Sequence, residues 1–377
     1  FFKIFFQKMK IAILSNIFDS NSENKEVEDS LTQVGKKTKA ALESYGHEVT
    51  FYDVNERVFE KLRKAKPDAA FNVCERFNGS SLFEPHVASM LELLAIPYTG
   101  SGPLALATCM NKPMVKAVLM HHEIPTPKYQ VFYSRYRKLD PELKFPLIVK
   151  PCSMDNSIGI TPESVVKNEE EMRRQINFIL KTYSQPALVE EFMAGREFTV
   201  SILGNDKEAM PLPVCEIEME NIPNNPNKIY SYDAKWDENG INYSQTHMNC
   251  PAKIPKYLEL KLQKVALETH RVLGVRDYSR VDLRLDEENN PYVLEMNPNP
   301  GISADCFLPF SANMLNINYN QLINIIFCCA LERNGIKNDK KVSRAADVIS
   351  EDGAAMADAE EEIKAPLIIK VLAGQTA

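Results

Sequence analysis

The sequence predicts an α/β protein built from three units. Two observations carry this. Apolar strand-like runs alternate with helical runs over the first hundred residues. A proline-bearing break, IPTPKY at 124–129, then separates that region from two further sets of strands and helices. In order, KIAILS at 10–15 reads as a buried strand, 31–45 as a helix, HEVTFYD at 47–53 as a strand and DAAFNVC at 68–74 as another. Alternation of this kind builds a parallel sheet with helices on both faces. A helix at 84–95 and the turn-rich YTGSGP at 98–103 follow. Beyond the linker come a strand at 146–150 (PLIVK), a polar loop at 152–162, a charged helix at 164–182, and strands at 187–192 (ALVEEF) and 197–203 (EFTVSIL). A third set begins near 208, with the proline- and asparagine-rich IPNNPNK at 222–228 as a loop. The expected division is 1–105, 106–207 and 208–335, followed by a tail at 336–377. That tail has no aromatic residue and carries Glu360, Glu361 and Glu362, so it can bury little and is expected to be disordered or a loosely docked helix.

Composition narrows the function. An apolar share of 44% and a charged share of 25% exclude a disordered or collagen-like chain. A net charge of −7 disfavours bulk binding to a phosphate backbone, so no nucleic-acid partner is expected, although a local basic pocket for one nucleotide fits. The eight cysteines include no CxxC pair, which excludes a zinc ribbon and a thioredoxin-type motif and points to reduced thiols in the cytoplasm. The opening FFKIFFQKMK is interrupted by Lys3, Gln7, Lys8 and Lys10 and lacks a small-residue cleavage site, so it is not read as a signal peptide, and Met9 is the expected natural start. The apolar run Leu322–Leu331, broken by Asn324, is too short to span a bilayer and reads as a buried helix, so no membrane partner is expected.

The richest segment is SRVDLRLDEENNPYVLEMNPNPG, Ser279–Gly301. Val281, Leu283 and Leu285 alternate with Arg280, Asp282, Arg284 and Asp286. Then Tyr292, Leu294 and Met296 alternate with Val293, Glu295 and Asn297, across an EENN turn. A four-residue loop pairing Asp286 with Pro291 sets Asp282 opposite Glu295 and Arg280 opposite Asn297. Carboxylates directly across a hairpin repel each other unless a cation lies between them. Two carboxylates and an amide suit a hard ion such as Mg²⁺. A solvated polar face is the other reading of the same alternation. Lys150 ends PLIVKP beside the small-residue loop Cys152–Ile160, where a lysine and loop N–H groups can hold phosphate oxygens, or where it is simply a surface lysine. No Walker A pattern occurs, and the GSG at 100–102 lacks the glycine spacing of a dinucleotide site. VEEFMAGREF at 189–198 offers carboxylates and a turn for a nucleoside, or two exposed glutamates.

Taken in order, IPYTGS, MNKPMVK, IPTPKY, PLIVKP, NSIG, VEEFMAGREF, YDAKW, CPA and RVDLRLDEENNPYVLEMNPNPG resemble the D-alanine–D-alanine ligase family of ATP-grasp enzymes over about residues 68–330. The resemblance implies a Rossmann-like N-terminal domain with a parallel sheet and two α+β subdomains that clamp ATP. It assigns Lys112 and Lys150 to phosphates, Glu190, Glu191 and Met193 to the adenine clamp, and Glu197 to the ribose. Lys235 falls to the γ-phosphoryl group, and Asp282, Glu295 and Asn297 to two Mg²⁺ (or Mn²⁺) ions. Arg280 and Gly301 would stabilise the tetrahedral intermediate.

The implied reaction is ATP-dependent formation of a C–N bond through an acyl phosphate, on small amino-acid substrates, by a cytoplasmic protein, with the homodimer common in the family as the implied assembly. The departures concern substrate rather than ATP. Leu14–Ser30 lacks the family's glycine-rich, glutamate-bearing segment, with Glu23 or Glu26 as stand-ins. Asn156 replaces a serine, Trp236 a tyrosine and Cys306 a serine, and FNVCERFNG at 71–79 differs from a His-Gly-rich strand end. D-alanyl-D-alanine synthesis is the leading expectation. A divergent amino-acid or dipeptide ligase and a non-catalytic ATP-binding protein are the alternatives.

Overall fold

The structure, a computed structural model, describes residues 8–16, 25–77, 80–154, 157–219, 222, 225, 227–231, 234–235 and 240–336. The substituted Asn156 and Trp236, the candidate Glu23 and all of the tail beyond Ile336 lie outside these residues, and of Glu26 only the helical backbone is described.

The chain opens with β1 (Lys10–Ser15), α1 (Lys25–Ser44), β2 (Glu48–Asp53), α2 (Val58–Ala65) and β3 (Ala69–Asn72). β1 lies between β2 and β3, and both pairings are parallel, as strand–helix alternation demands. Period-2 alternation sends Ile11 and Ile13 to one face and Ala12 and Leu14 to the other. The second face is covered by Val58 and Leu62 of α2 and by Val87 and Leu91 of α3 (Glu84–Leu93). α4 (Pro103–Cys109) and α5 (Lys112–His121) lead into the next sheet.

That sheet contains β4 (Tyr129–Phe132), β5 (Leu147–Pro151), β6 (Val165–Val166) and β7 (Ala187–Glu191), in the order β4-β7-β5-β6 and antiparallel throughout. α6 (Glu169–Thr182) covers one face, where Met172, Ile176 and Ile179 meet Leu147, Val149 and Val189. The helix expected from 164 starts five residues later. Val165 and Val166 pair with β5 instead, as β-branched residues favour, and Asn168 caps α6 by accepting from the Glu171 N–H. Alternation leaves Ile148, Lys150 and Glu190 on the face away from α6.

The third sheet contains β8 (Glu197–Leu203), β9 (Met210–Pro211), β10 (Cys215–Glu218), β11 (His247–Asn249), β12 (Tyr278–Leu285) and β13 (Pro291–Asn297). Its order is β11-β10-β8-β12-β13, with β9 on β8. Because β8 bonds to β12, this sheet crosses the boundary expected at 207. α7 (Ile241–Ser244) precedes β11, and α8 (Lys256–Val272) packs Leu258, Leu262 and Ala266 on Val200, Val281 and Leu283. α9 (Phe307–Asn313) and α10 (Tyr319–Arg333) end the described chain. The run Leu322–Leu331 is buried throughout, as its composition predicts, and α10 lies against the first sheet, with Ile326 and Phe327 in the cluster that holds Ile13 and Phe71. Among the described residues no helix is long and apolar enough to cross a membrane.

One buried carboxylate links the units. Asp277, with no exposed surface, accepts from the Gly100 N–H at 2.8 Å and from Asn205 Nδ2 at 2.9 Å, and its oxygens meet the Arg333 guanidinium at 3.0 and 3.1 Å. Arg333 also donates to the Tyr98 carbonyl at 2.8 Å. Removing one side of a buried ion pair strands the other. Asp277→Ala is expected to lower stability by about 3 kcal/mol, read as a fall in denaturant midpoint. A change below about 0.5 kcal/mol, the usual size for a surface substitution, would show that these contacts carry little.

Candidate active site

The cleft lies between the inner faces of the second and third sheets, and its chemistry is set by the β12–β13 hairpin. Asp282 pairs with Glu295 and Arg280 with Asn297, as expected, but by another route. Leu285, not Asp286, pairs with Pro291, because Asp286 turns inward and accepts from the Asn290 N–H at 2.7 Å. The ladder then slips by one residue after Asp282, leaving Leu294 as the extra residue of a bulge. The two one-residue shifts cancel. The bulge also corrects the faces assigned from alternation. Val293 and Met296 both enter the core, whereas Leu294 and Glu295 both line the cleft.

Seven of the residues singled out from sequence line this one cleft: Lys112, Lys150, Glu197, Lys235, Arg280, Asp282 and Glu295. Asn297 joins them through Nδ2, which donates to Asp282 Oδ2 at 3.0 Å. Arg280 grips Asp282 through two bonds, Nε to Oδ1 at 2.8 Å and Nη2 to Oδ2 at 2.9 Å, while its guanidinium lies 5.4 Å from the Phe307 ring. Lys112 reaches Glu295 at 2.9 Å and donates to the Met154 carbonyl at 2.5 Å. The MNKPMVK motif places it there, since Asn111 caps α5 by accepting from the Met114 N–H and leaves Lys112 in the first turn. Lys235 sits 4.6 Å over the Tyr230 ring.

Glu190 is not the exposed glutamate that VEEF alone allows. It is 1% exposed and bridges Lys150 at 2.5 Å and Lys116 at 2.7 Å. Glu191 and Met193 are half-buried and lie outside the residues that line the cleft. Gly301 also lies outside that lining, and a Cβ there would come within 3.0 Å of Cys306 Sγ.

The electrostatics follow from burial opposed by pairing. Burial alone would raise the Glu190 carboxyl, but the Lys116 and Lys150 ammonium groups outweigh it and bring it down to about 2. Burial would likewise raise Asp282 and Glu295, and Arg280 and Lys112 respectively hold both below the usual carboxylate range. Glu197 goes the other way. Burial pushes it up, and Arg284, 3.7 Å away, only partly offsets that. Burial lowers Lys235, with Arg280 adding to the effect.

A Mg²⁺ ion, which the sequence resemblance implies, fits this donor set. Asp282 and Glu295 are neighbours across one ladder, both face the cleft, and both are held ionised. Among the described residues no three His, Cys, Asp or Glu side chains form a metal cluster. The ion would therefore rest on two carboxylates and the Asn297 amide, with other oxygens completing its shell, a common arrangement for Mg²⁺.

Sequence reasoning missed several neighbours. Lys116 follows Lys112 by four residues in the same motif, and that spacing puts both on one helix face. Arg284 donates to the carbonyls of Gly195, Asn227 and Lys228 and lies over the Phe192 ring. Ile148, Ile160 and Ile217 form, with Leu294, an apolar lining suited to a flat ring, and no spacing signal marks the isoleucines.

Glu190 yields a pH prediction. Its pKa falls from 4.5 to about 2 on folding, so its contribution is fully present above 4.5 and is lost as pH falls toward about 2. Denaturant midpoints measured across that window should fall less steeply in Glu190→Gln than in the parent. Parallel slopes would contradict the buried ion pairs.

Comparison with known proteins identifies the family and the fold. Residues 118–327 match the family described as D-ala D-ala ligase C-terminus. The D-alanine--D-alanine ligase of Bordetella petrii is 32% identical over 290 residues, 76% of this chain and 83% of that protein. Protein y4sG of Sinorhizobium fredii, itself uncharacterised, is 33% identical over 316 residues, 81% of this chain and 90% of that one. The crystal structure of D-alanine--D-alanine ligase from Bacillus anthracis matches with a TM-score of 0.68 at 26% identity, covering 87% of this chain and 99% of that one. The same enzyme complexed with ATP shares the fold, with a TM-score of 0.67 at 24% identity over 87% of this chain and 99% of that one. The chain therefore belongs to the D-alanine–D-alanine ligase family and has the ATP-grasp fold.

Proposed function

We propose that this protein is an ATP-dependent carboxylate–amine ligase that joins two small amino acids, with D-alanyl-D-alanine formation as the leading reaction. The observation that carries the reading is the convergence of Lys112, Lys150, Lys235 and Arg280 with ionised Asp282 and Glu295 beside an apolar lining. That combination suits a nucleotide, with its base on the apolar side and its phosphates among the cations.

In this reading Lys112 and Lys150 exchange their present carboxylate partners for phosphate oxygens, and Lys235 follows the γ-phosphoryl group. Glu197, whose carboxyl burial pushes up, meets the ribose hydroxyls, and Glu190, Glu191 and Met193 form the adenine side. Asp282, Glu295 and Asn297 would hold two Mg²⁺ or Mn²⁺ ions, which when bound neutralise phosphate charge. A substrate carboxylate oxygen attacks the γ-phosphorus, the bridging P–O bond breaks and ADP leaves. The amine of the second substrate then attacks the acyl carbon, loses a proton and expels phosphate. Arg280, held in place by Asp282, and the Gly301 N–H would stabilise the oxyanion formed on that attack. The expected three-unit division, with β8 taken out of the second unit into the sheet of the third, a cytoplasmic location and a homodimer belong to the same reading.

Cys306 favours a second reading, a ligase with another amino-acid pair. It abuts Gly301, and burial, with Asp305 adding, pushes its thiol up to about 11. A neutral thiol is a weak hydrogen-bond donor, so it would hold an acceptor carboxylate poorly. Phosphate release screened over D- and L-amino acids separates the two. Turnover confined to D-alanine supports the first, turnover with another pair the second, and no release with any acceptor leaves a non-catalytic ATP-binding protein.

Two outcomes test the ion assignment. Chelation with EDTA should abolish amino-acid-dependent phosphate release, and added Mg²⁺ or Mn²⁺ should restore it. Glu295→Ala should keep the fold by circular dichroism and lose at least about a hundredfold in turnover, the scale expected for a lost charge-stabilising group. Turnover that survives either treatment would contradict the assignment.

A further inference from the structure

Lys116 is a buried cation that the reaction above leaves unused. Its side chain is 2% exposed, a depth at which an ammonium group needs an ionised partner. Nζ lies 2.7 Å from Glu190 Oε2 and donates to Thr126 Oγ1 at 2.8 Å, and Thr126 donates in turn to the Val293 carbonyl at 2.9 Å, just before the hairpin bulge. The other oxygen of Glu190 is held by Lys150 at 2.5 Å. One carboxylate thus faces two cations. Lys150 lines the cleft, and Lys116 is sealed behind it.

This arrangement bears on what happens when Lys150 turns to a phosphate. Were Lys150 the sole partner of Glu190, its departure would leave a carboxylate that is 1% exposed without a counter-ion. Such a group is expensive to strand, and that cost would come out of phosphate affinity. With Lys116 fixed on the second oxygen, Glu190 stays neutralised whichever way Lys150 points.

We infer that Lys116 is a positioning residue for ATP binding, which frees Lys150 for the phosphates by remaining as the standing counter-ion of Glu190. The inference rests on the ligase reading only in taking ATP as the ligand of the cleft. Lys116 itself touches no reacting atom.

The test is calorimetric titration of the full chain with ATP and Mg²⁺, without amino acids, alongside steady-state kinetics. Lys116→Met should raise the Kd for ATP at least roughly tenfold, with kcat at saturating ATP changing much less. Adding Glu190→Gln to that variant should recover part of the affinity, because a neutral amide does not hold Lys150 and that release outweighs the contact the carboxylate makes with the base, and Lys116→Arg should stay near the parent. An unchanged Kd in Lys116→Met, or a double variant no tighter than the single, would overturn the inference. If Lys116→Met fails to fold, Thr126→Val carries the test, with a several-fold weaker Kd expected and an unchanged Kd refuting. A parent that binds no ATP would instead refute the ligase reading, so the two failures are distinguishable.

Discussion

Two carboxylates face each other across one antiparallel ladder, inside a partly buried cleft. Asp282 and Glu295 repel at that spacing, and burial adds a cost to each charge. Arg280 and Lys112 offset both effects, and Glu190 repeats the arrangement with Lys116 and Lys150. The cleft is therefore a set of close ion pairs whose members can change partners. In the proposed reading a nucleotide would bring anionic oxygens for the lysines, and divalent ions would bring charge for the carboxylates. Binding would then swap one set of pairs for another, without first having to create isolated buried charges.

The rest of the fold holds those pairs in register. The third sheet packs on α8, so the charged faces of β12 and β13 are turned toward the second sheet. There Ile148, Lys150 and Glu190 share the face away from α6. The first sheet and α10 are tied to the start of β12 through Asp277, four residues before Val281 and five before Asp282. The unit that carries the parallel sheet is thereby anchored beside the hairpin that carries the carboxylates.

Much of this was legible in the sequence, for physical reasons that can be named. Strict alternation from Arg280 to Leu285 exposes which side chains share a face, and ordered motifs carried Lys112, Lys150 and Lys235 to the same site. The apolar run at 322–331 announced a buried helix, and α10 is one. What alternation could not show is the bulge, because a single extra residue leaves composition unchanged while moving Val293 into the core and Leu294 out of it. The tight Asp286 turn was hidden for the same reason. The burial of Glu190 depends on lysines from two other elements, and the lining isoleucines look like any core residue until the sheets are set face to face.

The most direct measurement is a crystal structure grown with Mn²⁺ and a non-hydrolysable ATP analogue, with the ions located by their anomalous scattering. The expected result is peaks within coordination distance of Asp282, Glu295 and Asn297, with Lys112 and Lys150 moved from their carboxylates onto phosphate oxygens. Ions bound elsewhere, or a nucleotide seated while Lys150 still holds Glu190 and Lys112 still holds Glu295, would contradict it.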